Sequence, residues 1–194
     1  MRKIILASRS EVRKQILSKN NIKFDVIPSN LDEDEIKESL VKEGADPEMI
    51  SKNLAELKAA KVSQNKLGEF VLGADSVIDL NGRIISKPKD RKKAFEILKD
   101  LNGKTHYLIS SVCISLDGKM IWNYTDKAEM VMKTFSEDEL KRYLKKVSDK
   151  NLFSYNVYQI EGEGRKLFDE INGDTDTIMG LPIKEIKKYL ESYG

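Results

Sequence analysis

Residues 70–88 read FVLGADSVIDLNGRIISKP, and the rest of the chain is best understood outward from them. Val71 and Leu72 begin an apolar strand, and Gly73-Ala74 then strip away side-chain bulk. Asp75 follows as an acidic stop where the strand leaves the sheet, a position that faces solvent or a ligand. Val77, Ile78 and Leu80 resume the strand pattern. Asn81-Gly82 suits a two-residue hairpin turn, because both central positions of that turn need positive φ. Ile84-Ile85 return toward Ser86-Lys87-Pro88, so the hairpin is expected to bring Lys87 back near Asp75. A carboxylate and an ammonium on rigid strands beside a small-residue gap suit a metal and phosphate site. A surface ion pair beside a turn is the alternative.

Upstream, KIILAS over residues 3–8 is a short apolar run that fits a central strand covered on both faces. Ser10 then caps a helix whose apolar face carries Val12, Ile16 and Leu17. A strand entering a helix through Ser8-Arg9-Ser10 points free backbone N–H groups and the positive end of the helix dipole at one spot, which attracts phosphate. Arg13, one turn in, can grip the same phosphate in bidentate fashion; plain capping, with Arg13 on a wet face, is the alternative. Phe24–Ile27 form a second strand. The cluster Asp32, Glu33, Asp34 and Glu35 supplies first-turn carboxylates that complement a helix dipole, and one of them is a candidate cation ligand. A longer helix runs roughly from Glu48 to Gln64, with Ile50, Leu54, Leu57 and Val62 as its apolar face. Its Lys58 reads, on local grounds, as a solvated side chain.

Downstream, Asp90 caps a helix containing Ala94, Phe95, Leu98 and Leu101, closed by Asn102-Gly103. Strands around 107–116 and 120–124 form a second hairpin about Asp117-Gly118, and residues 126–135 alternate as another strand. Ser136-Glu137-Asp138-Glu139 opens a helix with capping-box character. YNVYQIEGEG, residues 155–164, is irregular, Leu167, Phe168 and Ile171 form a further strand, and Pro182 starts a final helix. Alternating α and β elements first and hairpins later give an α/β fold, a mixed, twisted sheet flanked by helices with long β-hairpins. The whole chain, 1–194, is expected to be one domain.

Composition narrows the function classes. Lys+Arg 34 against Asp+Glu 32 leaves a formal charge of +2, spread along the chain, so no basic face is gathered for nucleic acid. The N-terminal apolar run stops before Arg9, which fits neither a signal peptide nor a membrane span, and a cytoplasmic location is expected. One cysteine, Cys113, excludes an internal disulfide and a multi-cysteine zinc site, and it reads as a packed thiol. His106 is the only histidine, so a histidine-rich metal site is out; it reads as a strand-end packing residue rather than a base.

Taken in order, these segments resemble the Maf family, the septum-formation-type nucleotide pyrophosphatases, over essentially the whole chain. Ser8, Ser10 and Arg13 stand where the family has Ser-x-Ser-Pro-Arg-Arg, with Glu11 and Val12 replacing its proline and first arginine. Asp32-Glu33, Lys58 in Leu54-Ala55-x-x-Lys58-Ala59, Gly73-Ala74-Asp75-Ser76, Lys87-Pro88, Leu101-x-Gly103-x-Thr105-His106 and Gly180-Leu181-Pro182 complete the set. The resemblance implies hydrolysis of a nucleoside triphosphate between its α and β phosphorus atoms. It further implies a divalent cation, Mg²⁺ or Mn²⁺, held by Glu33 and Asp75; Asp75 orienting or deprotonating water; and phosphate contacts from Ser8, Ser10, Arg13, Lys58 and Lys87. A Maf/ITPase-like fold is expected, and a homodimer is compatible with the resemblance.

One departure bears on the base. Members acting on dTTP and UTP carry Tyr-x-Ile-Gln-Gly-x-Gly, whereas residues 158–164 here place Glu161 at the glutamine. An amide offers a donor and an acceptor to uracil or thymine, while a carboxylate only accepts and so suits the N1–H and N2–H₂ edge of guanine. Glu161 and Leu167-Phe168 resemble the 7-methyl-GTP-type members; Glu161 serving a metal is the other option. A nucleotide-sensing regulator of cell division without hydrolysis is the alternative function, and a house-cleaning enzyme for several triphosphates shares the same chemistry.

Overall fold

The computed structural model describes residues 2–154 and 156–193; Tyr155, the first residue of the irregular segment, lies outside them. Hydrogen bonding orders the strands of one sheet as β2-β1-β3-β5-β6-β7, with β4 attached to β3. These are β1 (Ile4–Leu6), β2 (Phe24–Val26), β3 (Phe70–Leu80), β4 (Arg83–Ile85), β5 (Thr105–Leu116), β6 (Lys119–Met132) and β7 (Phe168–Asn172). Strand β1 is parallel to both β2 and β3, whereas β4 is antiparallel to β3 and β7 to β6. The mixed α/β architecture expected from the sequence is the one observed. By internal contacts the chain divides into two compact units. The first comprises Met1–Val77, Ile109–Lys127 and Asp174–Gly194, and the second Ile78–Leu108 and Ala128–Gly173.

In the first unit, helix α1 (Glu11–Lys19) starts at Ser10, whose Oγ accepts from Arg13 N, and buries Val12, Ile16 and Leu17. Helix α2 (Glu33–Lys42) is capped by Asp32, and α3 (Pro47–Ser63) by Asp46. The face of α3 that meets the sheet departs from the expected one at a single position. Ile50, Leu54 and Val62 are buried as expected, but Leu57 is 42% exposed, and Ser51, Ala55, Lys58 and Ala59 are buried beside them. Their i, i+4, i+7, i+8 spacing makes one stripe, and Ala55, Ala59 and Val62 join Ile5, Ala7, Val71 and Cys113 in a core cluster. Cys113 is buried as expected, and burial pushes its thiol up to about 11.

In the second unit, α4 (Arg91–Leu101) is capped by Asp90, and α5 (Glu137–Lys146) carries the reciprocal Ser136–Glu139 capping box. Helix α6 (Asp149–Ser154) and a 3-10 helix (Glu163–Leu167) flank the YQIEG turn. The expected strands at 120–124 and 126–135 are one continuous β6, because no turn residue separates them. Helices α7 (Thr175–Ile178) and α8 (Ile183–Glu191) return the chain to the first unit. Among the described residues, no helix is long and apolar enough to cross a membrane.

Candidate active site

Strand β1 ends at Leu6, opposite Leu72 of β3, and β3 continues beyond that point to Leu80. Since α1 leads from β1 to β2 on one flank while β3 pairs on the other, the C-terminal end of β1 is a topological switch point. Crevices at such points are the usual ligand sites of open α/β sheets. Here the chain leaves β1 through Ser8, Arg9 and Ser10, beside Gly73, Ala74 and Asp75.

Gly73 sets how closely α3 approaches. A Cβ at this position would lie 2.1 Å from the carbonyl oxygen of Ala55 and 2.7 Å from the amide of Ala59. The small-residue gap expected to admit a ligand is therefore filled by the backbone of α3. That approach carries Lys58 into the sheet. Its Nζ lies 2.8 Å from Asp75 Oδ1, 2.9 Å from Glu33 Oε2 and 3.4 Å from the carbonyl of Ala74, so all three ammonium donors are engaged. Lys58 is 4% exposed, which corrects its reading as a solvated side chain: it lies on the same buried face as Ile50, Leu54 and Val62, and Leu57 lies off it.

Asp75 differs from expectation in a similar way. It does not end the strand but sits inside the 11-residue β3, 4% exposed, while Ser51 Oγ donates to its backbone carbonyl at 3.2 Å. Lys58 takes Oδ1; Oδ2 is buried without a hydrogen-bond partner. At Glu33, burial raises the carboxyl, but Lys58, through charge and hydrogen bond, outweighs it with help from Lys37 and Arg13, leaving Glu33 below its ordinary value.

Arg13 connects the loop after β1 to this centre. Its Nε donates to Gly180 O at 2.9 Å, Nη1 to Ala74 O at 2.9 Å and Ser8 Oγ at 3.3 Å, and Nη2 to Ser76 Oγ at 3.2 Å. Burial lowers the guanidinium pKa, with Asp75 and Glu33 opposing. Because Ser110 Oγ donates to Thr177 O at 2.7 Å, Ser76 must be the donor in its 2.8 Å contact with Ser110. The chain Arg13→Ser76→Ser110→Thr177 thus has one direction, each hydroxyl spending its single proton. Ser51, Ser76, Ser110 and Thr177 were not singled out from the sequence as site residues. For Ser51 a signal existed, its i, i+4, i+7 phase with Ala55 and Lys58.

The first unit therefore brings together Ser8, Ser10, Arg13, Glu33, Lys58 and Asp75. Lys87, two residues beyond β4, and Glu161, on the turn before the 3-10 helix, are exposed residues of the second unit. As a test of fit for a divalent cation, the orphaned Asp75 Oδ2 and the hard carboxylate oxygens of Asp75 and Glu33 suit one. Among the described residues no cluster of three or more His, Cys, Asp or Glu could hold a metal alone, so water and substrate oxygens would complete its shell.

The chain resembles known proteins along its length. It is 68% identical over 191 residues, 98% of each chain, to the nucleoside triphosphate pyrophosphatase of Pelagibacter ubique. It is 36% identical over 192 residues, 99% of this chain and 96% of the relative, to the 7-methyl-GTP pyrophosphatase of Rhizobium etli. Among solved structures, the Staphylococcus aureus Ham1 protein is similar over 100% of both chains with 14% identity and a TM-score of 0.47. The family model described as Maf-like protein matches residues 3–193, and the chain belongs to the Maf family.

Proposed function

We propose that this protein is a nucleoside triphosphate pyrophosphatase that cleaves the α–β phosphoanhydride to give a nucleoside monophosphate and pyrophosphate. The observation that carries the proposal is Asp75, a buried carboxylate with Oδ1 held by Lys58 and Oδ2 unpartnered. A carboxylate fixed this way has one lone-pair-bearing oxygen left to orient water or accept its proton. The relatives' names, nucleoside triphosphate pyrophosphatase and 7-methyl-GTP pyrophosphatase, support the same reaction class.

Each residue then has a task. Asp75 Oδ2 holds the attacking water and takes its proton. Ser8, Ser10 and the N-terminal amides of α1 face the phosphates, where the helix dipole favours anions. Lys58 keeps Asp75 and Glu33 side by side without mutual repulsion, and it can exchange one donor for a phosphate oxygen. Arg13, with its donors on Gly180, Ala74, Ser8 and Ser76, locks the phosphate loop onto β3. Mg²⁺ or Mn²⁺ on Glu33 and Asp75, when bound, would neutralise phosphate charge and polarise the scissile phosphoryl group. The base proposal rests on the chemistry of Glu161: two acceptors and no donor complement guanine, and the negative charge favours the cationic ring of 7-methylguanine.

Pyrophosphate release with Mg²⁺ or Mn²⁺ over GTP, 7-methyl-GTP, ATP, CTP, UTP and dTTP tests both levels. Guanine-type substrates are expected to lead, with Glu161→Gln shifting preference toward UTP and dTTP by about tenfold. Equal turnover of all six would remove the base proposal. Nucleotide binding without pyrophosphate release would replace the enzyme with a sensor.

A further inference from the structure

The turn that carries Glu161 is built in an unusual way for an exposed polar loop. Gly162 N donates to Gln159 O at 3.1 Å, which places Glu161 third in a four-residue turn. Both ends of that turn are anchored in the core. Val157 is 0% and Tyr158 4% exposed just before it, and Gly164 just after it leaves no room for a side chain. A Cβ on Gly164 would lie 2.6 Å from both the amide nitrogen and the carbonyl oxygen of Gln159.

Tyr158 is the last fixed side chain before the turn. Its ring packs edge-on against Phe168 at 4.8 Å, and its Oη is 2.8 Å from His106 Nε2. His106, on β5, is 0% exposed and also packs against Phe168 at 5.8 Å. Burial raises the Tyr158 pKa and lowers that of His106, so near neutral pH the phenol keeps its proton and the imidazole is neutral. In the consistent arrangement Tyr158 donates and His106 Nε2 accepts, leaving the imidazole proton on Nδ1. The backbone of Lys104 opposes the lowering of His106, although Nδ1 makes no hydrogen bond of ordinary geometry. The nitrogen that is satisfied is the one against Tyr158, the residue that leads into the turn. An apolar ring at this position would leave the buried Tyr158 hydroxyl without its partner, so the contribution of His106 here is the hydrogen bond it makes with Tyr158.

We propose that His106 is a positioning residue for base selection, its hydrogen bond to Tyr158 fixing the orientation of the turn that presents Glu161. The inference rests on the proposed base-reading role of Glu161. It assigns the chain's only histidine to specificity, with no part in proton transfer.

The test is a double-mutant cycle of His106→Phe and Tyr158→Phe, read as kcat and KM for 7-methyl-GTP, GTP and UTP, beside His106→Gln and Glu161→Gln. Thermal unfolding of each variant verifies that it is folded at the assay temperature. Each Phe variant is expected to raise KM for the guanine substrates about tenfold, with less than a threefold fall in kcat, and the double variant to be no worse than either single. His106→Gln, whose amide can reach the same hydroxyl, is expected to restore selectivity to within threefold of wild type. If the folded Phe variants keep wild-type selectivity while Glu161→Gln changes it, the base reading stands and the role of His106 is overturned. A uniform fall in kcat for all three substrates would also overturn it, as a purely structural effect. If Glu161→Gln leaves selectivity unchanged, the base reading itself has failed and the inference falls with it.

Discussion

Asp75 and Glu161 are both carboxylates in short polar motifs, yet they are held by opposite means. Asp75 lies inside a strand, 4% exposed, with a buried ammonium on one oxygen and a serine on its own carbonyl. Glu161 stands exposed on a turn whose anchors are a glycine without room for a Cβ, two buried side chains and a tyrosine-histidine hydrogen bond. In the first case charges hold a charge, and the arrangement costs stability if any member is lost. In the second, packing holds the backbone and leaves the carboxylate unencumbered. Chemistry at a phosphate needs a fixed, desolvated group, whereas discrimination between bases needs an unpaired hydrogen-bonding edge.

The largest expected difference between the two regions is thermodynamic. Lys58→Met leaves Asp75 as a buried charge without its partner, and the loss of one member of such a pair costs about 3–5 kcal/mol. Urea unfolding near neutral pH measures it, and adding Asp75→Asn should recover part of the loss, because the uncompensated charge is then gone. A Lys58→Met variant as stable as wild type would mean that the ammonium is dispensable to the fold.

A smaller effect is expected from His106 in the second unit. Burial pushes its pKa from 6.5 down to about 4, so between those values the unfolded chain binds a proton that the folded chain does not. Its contribution is complete above 6.5 and is lost as pH falls toward 4. From about pH 7 to about pH 5 this single group should remove about 2 kcal/mol of stability. Over that interval the stability of His106→Phe should fall by that much less than wild type, in urea titrations at each pH. Parallel pH dependences in the two proteins would place the His106 pKa near its ordinary value.

Much of this architecture was legible in the sequence, because its signals are local. Ser10, Asp90 and Ser136 cap the helices they were expected to cap, and Asn81-Gly82 and Asp117-Gly118 turn the hairpins with positive φ at each residue. What was not legible depended on approach between distant segments. Lys58 looks solvated until Gly73 is known to face Ala55 and Ala59; only then does the buried face of α3, with Ile50, Leu54 and Val62 already on it, take in Lys58 and leave out Leu57. Gly73-Ala74 was rightly read as a place of missing bulk, but periodicity does not say whether a ligand or a helix fills it. Asp75 was expected where the strand leaves the sheet, after the loss of bulk at Gly73-Ala74, and it is its partner 17 residues earlier that holds it inside. His106 was read as packing, and its partner Tyr158 lies 52 residues away, beyond any local pattern.

The central claim is that the unpartnered oxygen of Asp75 is the working atom, and the most direct test is pyrophosphate release by Asp75→Asn with its leading triphosphate. An amide keeps the shape and a hydrogen bond but can neither take a proton nor carry charge. The account predicts a fall in kcat of roughly 10³-fold with substrate still bound. Turnover within tenfold of wild type by the folded variant would contradict it.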